Sequence, residues 1–297
     1  MYLGGIEAGG TKFICAVGDK NGNIISKIQV PTTTPDETMP AVYDFFSRYN
    51  LTAIGAGSFG PIDVNPFSDT YGSITSTPKA PWRNFQLVEA LKTQFHVPVG
   101  FNTDVNAAAL SEAAFGAAKG LDSCLYITVG TGIGGGAIVR GDVLQGLSHP
   151  EMGHILVRKH PKDSYLGKCP YHGDCLEGLA AGPAIEERWG QKGMELSDRE
   201  EVWEMEGYYI AQALMQYVLI LSPKKIILGG GVMKQKQIFP YIHEHFKDLM
   251  NHYVDLPELA EDISQYIVSP GLGDEAGIIG SLLLADQALQ LTAAEIN

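Results

Sequence analysis

Basic residues are scarce in this chain: 21 Lys and Arg stand against 34 Asp and Glu, which gives a formal net charge of −13 over 297 residues. A nucleic-acid-binding surface needs a clustered excess of Lys and Arg to pair with phosphates. The composition therefore predicts no nucleic-acid partner. It leaves room for a small anionic ligand, because glycine-rich turns bind phosphate through backbone N–H groups rather than through side-chain charge.

Long apolar runs are also missing. The best candidate, Val218–Leu221, stops at Pro223 and the lysines after it, so we expect no membrane-spanning segment and no membrane partner. The chain opens M-Y-L-G-G-I-E, without a basic and apolar leader. There are only 4 cysteines. Two of them, Cys15 and Cys124, lie in apolar, strand-like runs that are typical of core positions. Together these features predict a cytoplasmic, reducing location.

The other two cysteines belong to a cluster of potential metal ligands. Residues 149–154 read H-P-E-M-G-H, and residues 169–177 read C-P-Y-H-G-D-C-L-E. Cys169, His172 and Cys175 are spaced three residues apart, and His154 lies fifteen residues upstream of the first. Four nitrogen and sulfur ligands in such an arrangement are typical of a closed, tetrahedral zinc site.

Two carboxylates, Glu151 and Glu177, lie three and two residues from the nearest predicted ligands. A metal ion that holds this segment would also fix both carboxylates in space. His149 and His160 flank the cluster and remain open as alternative ligands. A zinc hydrolase is a competing interpretation. It is disfavoured because four protein ligands leave no open metal position, and because H-P-E-M-G-H is not the H-E-x-x-H motif.

Three glycine-rich turns follow apolar runs. Residues 3–18 and 123–139 each read as strand, glycine turn with a threonine, and strand, which we interpret as a weak internal repeat. A third turn, G-G-G-V, ends the run at 224–232. The stretch G-T-G-I-G-G at 130–135 fits a dinucleotide pattern that must open a helix, yet it runs into a second strand. We therefore expect backbone N–H and threonine hydroxyl groups of these turns to hold a triphosphate.

Asp104 lies at a predicted strand-to-helix junction. V-P-V-G-F-N at 97–102 predicts a strand, and the alanine-rich run after Asp104 predicts a helix that ends near Gly120. This places the carboxylate near a helix N-terminus, a position that is also that of an ordinary helix cap. Residues 61–84 have no clear period, and a loop of that length is usually functional or disordered. Its Thr75, Thr77, Lys79 and Trp82 favour a functional loop. The alternation of strands and helices along the chain predicts an α/β protein.

These motifs together resemble the ROK family of sugar kinases and repressors, within the actin/hexokinase-like superfamily. G-I-E-A-G-G-T-K at 5–12 and V-G-T-G-I-G-G-G at 129–136 are similar to its two phosphate motifs. N-T-D-V-N-A-A-A at 102–109 resembles its catalytic-aspartate motif, and E-M-G-H with the Cys/His cluster resembles its signature. The resemblance covers essentially the whole chain. It implies an α/β, actin/hexokinase-like (ribonuclease H-like) fold of two lobes with an interlobe cleft.

The implied lobes are an N-terminal α/β lobe over residues 1–118, completed by a C-terminal helix at 277–297, and a C-terminal α/β lobe over 119–276 that carries the zinc-binding loop. The family commonly dimerises, so a homodimer is expected. P-I-D at 61–63, Y-G-S-I-T-S-T-P-K at 71–79 with Trp82, and C-P-Y-H-G-D-C-L-E-G resemble the fructokinase branch. They imply ATP-dependent phosphorylation of D-fructose to fructose 6-phosphate. The alternatives are a mannokinase or glucokinase of the same family, or a sugar-responsive regulator without catalysis, which the lack of a helix-turn-helix before residue 1 disfavours.

The resemblance also implies residue roles. Asp104 would be the general base that takes the proton of the sugar hydroxyl. Zn²⁺ would be structural, and Mg²⁺ would accompany ATP. The expected sugar-binding residues are Asn102, Thr103, Glu151, His154 and Glu177. The expected nucleotide-binding residues are Gly9, Gly10, Thr11, Lys12, Thr131, Gly132, Gly182, Pro183, Gly229, Gly230, Gly231 and Val232. The expected zinc ligands are His154, Cys169, His172 and Cys175.

Three residues depart from the family pattern. Glu7 stands where the first motif usually has Asp, Thr103 stands where glucokinase-like members have Asn, and His172 replaces a third cysteine. The last two departures are consistent with the fructokinase branch and weaken any transfer of glucose specificity.

Overall fold

A computed structural model describes residues 2–295 of the chain, which divide into two compact units. Unit 1 contains the chain up to Lys119, the short segment Val143–Pro150 and the chain from Asp274 onward. Unit 2 contains Gly120–Asp142 and Glu151–Gly273. The sequence predicted that residues 143–150 belong to the C-terminal lobe, whereas the structure places them in unit 1. Residues 1, 296 and 297 of the predicted N-terminal lobe lie outside the described residues.

Strands and helices are interspersed along the described residues, with short runs of consecutive strands and of consecutive helices. The strands are β1 (Tyr2–Ala8), β2 (Lys12–Gly18), β3 (Ile24–Pro31), β4 (Leu51–Ser58), β5 (Ser73–Ile74), β6 (Phe85–Gln86), β7 (Val99–Thr103), β8 (Ser123–Val129), β9 (Ile133–Val139), β10 (Asp142–Val143), β11 (Ile226–Gly229) and β12 (Ile267–Val268). The helices are α1 (Pro35–Phe46), α2 (Leu87–Phe95), α3 (Asp104–Ala114), α4 (Leu176–Ala180), α5 (Gly182–Trp189), α6 (Glu200–Leu221), α7 (Ile238–Met250), α8 (Pro257–Ala260), α9 (Ile263–Tyr266) and α10 (Ala276–Glu295).

The two main sheets share one plan. The first has the order β3-β2-β1-β4-β7, and the second has the order β10-β9-β8-β11-β12. In both sheets the first long strand pairs antiparallel with the strand that follows its glycine turn, and parallel with a strand further along the chain. The strand–turn–strand repeat predicted from the sequence is therefore present in the structure, once in each unit.

A row of glycines lets α10 lie directly on the sheet of unit 1. Gly5, Gly55 and Gly100 are cross-strand partners on β1, β4 and β7. A Cβ at Gly55 would lie 1.9 Å from the carbonyl oxygen of Ser281, and a Cβ at Gly100 would lie 2.1 Å from that of Leu284. No side chain fits there, so glycine is required by the close approach of a helix backbone.

Helix α10 is apolar because it is a core element of unit 1. By length and composition alone, the stretch Gly273–Ala294 is long and apolar enough to cross a membrane. It was not identified from the sequence, where no such segment was expected. Half of its most apolar stretch is buried inside the protein, and Ile278, Leu282 and Ala285 are almost fully buried. Its hydrophobicity is therefore accounted for by packing on the sheet.

The long loop 61–84 is anchored to the core of unit 1 at its far end. Trp82 is fully buried, and its indole N–H donates to the carbonyl oxygen of Thr33 at 2.8 Å. Its ring packs against Phe13 at a centroid distance of 5.0 Å and against Phe85 at 5.2 Å. The end of this segment is therefore packed into the core of unit 1.

Two predicted helices differ in their bounds. The alanine-rich helix α3 ends at Ala114 rather than near Gly120, because the buried side chain of Glu112 accepts a hydrogen bond from the N–H of Ala117 at 2.7 Å and turns the chain. Helix α7 begins at Ile238, whereas the run H-E-H-F-K-D-L-M at 243–250 predicts a start five residues later. Its extra turn extends the face that packs on α6.

Candidate functional site

The four predicted metal ligands come together in unit 2. One ligand atom from each of His154, Cys169, His172 and Cys175 lies within 4.8 Å of the others. The Nδ1 atom of His154 is 3.7 Å from Sγ of Cys169 and 3.5 Å from Sγ of Cys175. A tetrahedral ion with bonds of about 2.3 Å to sulfur and about 2.05 Å to nitrogen separates these ligands by about 3.6 Å. The donor set and its spacing therefore fit zinc.

Local backbone geometry forms this cluster. Cys169 and Gly173 exchange backbone hydrogen bonds of 3.1 and 2.9 Å, and Gly173 has a φ of 65°, in the left-handed region that favours glycine. The resulting tight turn brings His172 back beside Cys169, with Nδ1 3.6 Å from Sγ. Helix α4 then begins directly after Cys175. A single turn therefore brings together the three predicted ligands of this segment, Cys169, His172 and Cys175.

The flanking histidines are not alternative ligands. Nε2 of His149 accepts the N–H of Ile62 at 3.2 Å within unit 1, and Nε2 of His160 lies 3.6 Å from a carboxylate oxygen of Glu204. The sequence predicts surface positions for two further histidines, His243 and His245. Both are partly buried: His243 contacts the carbonyl oxygen of Ile267, and His245 contacts Glu204.

His154 uses its two nitrogen atoms in different directions. While Nδ1 faces the sulfur atoms, Nε2 lies 3.9 Å from Oε1 of Glu177. A metal-binding imidazole with its second nitrogen directed at a carboxylate is the arrangement that orients such a ligand. Glu151 lies one turn before His154, whose N–H donates to the Glu151 carbonyl oxygen at 3.1 Å. The three unit 2 residues predicted to bind sugar are therefore next to the metal cluster.

The second glycine turn, residues 130–132, meets other predicted nucleotide-binding residues in unit 2. The N–H of Gly182, the first residue of α5, donates to the carbonyl oxygen of Gly130 at 2.7 Å. Gly230 has a φ of 92°, and a Cβ there would lie 2.4 Å from the carbonyl oxygen of Val129. Thr131 is exposed at the tip. The turn, the start of α5 and the turn after β11 thus form one cluster of backbone polar groups.

The first glycine turn, between β1 and β2, lies in unit 1. It is closed by a hydrogen bond of 3.0 Å from the N–H of Gly9 to the carbonyl oxygen of Lys12. Nζ of Lys12 lies 3.4 Å from the side-chain oxygen of Gln29 on β3. A Cβ on Gly10 would lie 3.3 Å from Cε of Lys79. Lys79 was not predicted as a site residue. It could have been noticed from its place in T-P-K, within the segment that resembles fructokinases.

Asp104 is the first residue of α3 in unit 1, and its two predecessors hold the helix start. The Thr103 hydroxyl accepts the N–H of Asn106 at 3.1 Å, and Oδ1 of Asn102 accepts the side-chain N–H of Asn106 at 2.7 Å. The Asp104 carboxylate is partly exposed and lies at the positive end of the helix dipole. The predicted sugar-binding residues Asn102 and Thr103 therefore serve a structural purpose that was not predicted.

Glu7 is the second-last residue of β1, and its side-chain Oε2 atom is buried. Burial, and then the negative charge of Asp104, raise the pKa of its carboxyl to about 7. Its Oε2 atom has no hydrogen-bond partner among the described residues. A Cβ on Gly277 would lie 2.6 Å from the Glu7 carboxyl carbon, so the methylene by which Glu exceeds Asp is accommodated by a glycine on α10. A buried carboxylate oxygen without a protein partner fits a cation.

Comparison with known proteins gives consistent matches over the whole length. The model of the family described as ROK family matches residues 3–288. A Bacillus subtilis protein named "Putative fructokinase" is 66% identical over 292 residues, which cover 98% of each chain. The fructokinase of Pediococcus pentosaceus is 48% identical, over 98% of this chain and 99% of its own.

Among solved structures, the ROK hexokinase of Thermus thermophilus superposes with a TM-score of 0.79 at 29% identity, covering 98% of this chain and 99% of its own. A ROK family glucokinase of Streptomyces griseus, in complex with glucose and AMPPNP, has a TM-score of 0.78 at 25% identity, covering 97% of this chain and 100% of its own.

Proposed function

The chain belongs to the ROK family, and from that membership we propose that it is an ATP-dependent hexose kinase that converts D-fructose to fructose 6-phosphate. The observation that carries the proposal is the full-length likeness to proteins named fructokinase, at identities up to 66%. The α/β, actin/hexokinase-like two-lobed fold predicted from the sequence is confirmed by the structural neighbours.

Asp104 is the general base of this proposal. Its carboxylate accepts the proton of the attacking sugar hydroxyl as the oxygen bonds to the γ-phosphorus and the bond to the ADP oxygen breaks. Two features support the role. Asn102 and Thr103 fix the helix start on which Asp104 lies, and a partly exposed carboxylate at that position can reach a ligand.

The two glycine turns bind the phosphates through their N–H groups, with Thr11 and Thr131 adding hydroxyl groups. Gly182, Pro183 and the turn Gly229–Val232 line the adenosine side of the unit 2 cluster. When bound with the nucleotide, Mg²⁺ supplies positive charge that offsets the phosphates, and Glu7, with its partnerless oxygen, is the residue that would hold it.

The sugar hydroxyls are bound by Glu151, His154 and Glu177, with Asn102 and Thr103 as further contacts. Zinc held by His154, Cys169, His172 and Cys175 is structural, because four protein ligands leave no open position for a substrate. The protein acts in the cytoplasm as a homodimer. Mannose and glucose are the competing substrates, because both are hexoses that other kinases phosphorylate.

A coupled assay of ADP release with fructose, mannose, glucose and N-acetyl sugars tests the proposal. Fructose should give the highest kcat/KM, and Asp104→Asn should lower kcat by about 10²- to 10⁴-fold. Asp36→Asn is the matched control, since Asp36 also lies in the first turn of a helix. Near-normal turnover of Asp104→Asn would refute the base assignment. If no ADP were formed with any of these sugars, the kinase proposal would fail and a sugar-responsive regulator would replace it.

A further inference from the structure

One contact joins the metal cluster to the second glycine turn. Glu177 lies on α4, two residues after the ligand Cys175, and its Oε2 atom accepts the backbone N–H of Ile133 at 2.9 Å. A Cβ on Gly132 would lie 2.6 Å from the same oxygen. The carboxylate is therefore pressed against the turn, and the lack of a side chain at residue 132 makes the contact possible.

This contact helps to fix the direction in which the turn presents its N–H groups. Gly130 donates its own N–H to the carbonyl oxygen of Gly132 at 2.9 Å, and its carbonyl oxygen accepts from Gly182. At the other end of the turn, the N–H of Ile133 donates to the carboxylate of Glu177. With both ends of the turn tied, the N–H groups of Thr131 and Gly132 are held in one orientation, so less ordering is needed when an anion binds.

Helix α4, which carries Glu177, is held at both ends. Its first turn follows Cys175, and the carbonyl oxygen of Leu179 near its last turn accepts a hydrogen bond of 2.7 Å from Arg188. Arg188 is itself buried and paired with Asp163 at 3.0 Å and Glu206 at 3.2 Å. Because the helix has only 5 residues, a displacement of Cys175 would be passed to the carboxylate.

We propose that Glu177 is a positioning residue for the nucleotide: it transmits the geometry of the metal cluster to the second glycine turn and so sets the affinity of that turn for the phosphate chain. This role deepens the proposed kinase function, on which it rests, and is separate from any contact of Glu177 with sugar. One carboxylate oxygen faces the turn, while the other faces His154.

The test measures binding of ADP to the zinc-loaded, full-length protein by calorimetry without sugar. Glu177→Ala removes the acceptor and should weaken ADP binding about tenfold or more. Glu177→Gln keeps a carbonyl oxygen for the Ile133 N–H, so ADP affinity should stay within about threefold of wild type, while the KM for fructose rises. Circular dichroism and zinc content establish that each variant is folded.

A double-mutant cycle then identifies the contact. Gly132→Ala should weaken ADP binding in the wild-type background, because its Cβ meets the Glu177 carboxylate. In the Glu177→Ala background the same change should add little, because the obstructing group is gone. Additive losses in the cycle, or wild-type ADP affinity in Glu177→Ala, would overturn the positioning role while leaving the kinase proposal intact. A wild-type protein that binds no ADP would overturn both.

Discussion

The glycine row beneath α10 makes a graded prediction about the stability of unit 1. Replacing Gly55, Gly100 or Gly5 by alanine adds a Cβ to one of three neighbouring strands, but the space available to the new atom differs between the three positions. The new atom would lie 1.9 Å from the Ser281 carbonyl oxygen at residue 55, 2.1 Å from that of Leu284 at residue 100, and 3.2 Å from its nearest neighbour at residue 5. The first two clashes cannot be relieved by a side-chain rotation, because the clashing atoms belong to the backbone. At residue 5 the nearest atom, the Ile278 carbonyl oxygen, is also a backbone atom, but it is far enough away for a small shift to relieve the contact.

The sizes of two opposing effects decide the outcome. Alanine restricts the unfolded chain and stabilises the protein by about 0.4–1 kcal/mol where the backbone conformation suits it. Overpacking costs about 1–3 kcal/mol, and more where a helix must move as a body. We expect Gly5→Ala to be close to neutral, and Gly55→Ala and Gly100→Ala each to lower the free energy of unfolding by about 2–4 kcal/mol.

The measurement is urea unfolding combined with hydrogen exchange of peptides from β4 and α10, which reports unit 1 separately from unit 2. Gly146→Ala is the control, since a Cβ there would have no neighbour within 4 Å. If Gly5→Ala cost as much as Gly55→Ala, or if Gly55→Ala were as stable as the control, the close approach of α10 to the sheet would be wrong.

Three further predictions concern other parts of the chain. Burial raises the pKa of the Glu206 carboxyl from 4.5 to about 8, so the folded chain retains a proton that the unfolded chain has lost. Stability should therefore fall as pH rises from 4.5 to 8, and Glu206→Gln should flatten that fall in urea unfolding from pH 5 to 9; parallel profiles would show an ionised native carboxylate. Trp82→Ala should cost about 3–5 kcal/mol in the same assay and free the end of loop 61–84 to proteolysis; unchanged protease resistance would contradict the anchoring role. Cys175→Ser should lose bound zinc and lower the melting temperature, whereas Cys124→Ala, an equally buried cysteine outside the cluster, should keep the metal by atomic absorption.

Features that depend on local sequence could be predicted from it. The predicted metal ligands Cys169, His172 and Cys175 lie within seven residues, so one turn is enough to bring them together. The strand–turn–strand repeats are likewise local, because a hairpin is specified by its turn and by the apolar runs on each side. Asp104 could be placed at a helix start for the same reason.

Features that depend on pairing between distant segments could not be predicted. Gly5, Gly55 and Gly100 form a row only once the register of three strands is known, and the sequence alone indicates no partner helix for them. His149 lies five residues from the predicted ligand His154, yet its segment belongs to unit 1. A Cβ on Gly10 would lie 3.3 Å from Cε of Lys79, and the sequence alone does not pair these two distant positions.

The chain passes between the two units four times, after residues 119, 142, 150 and 273, and this has a consequence for how the protein is made. Synthesis proceeds from the N-terminus at about 5–20 residues per second. Every residue of unit 2 has therefore been made before α10 is translated. The strands that α10 covers, β1, β4 and β7, are among the first to be synthesised and wait for their partner until all of unit 2 has followed. We expect unit 1, whose synthesis starts first, to finish folding last. Until α10 is made, the glycine row of its sheet should stay exposed to chaperones on the ribosome.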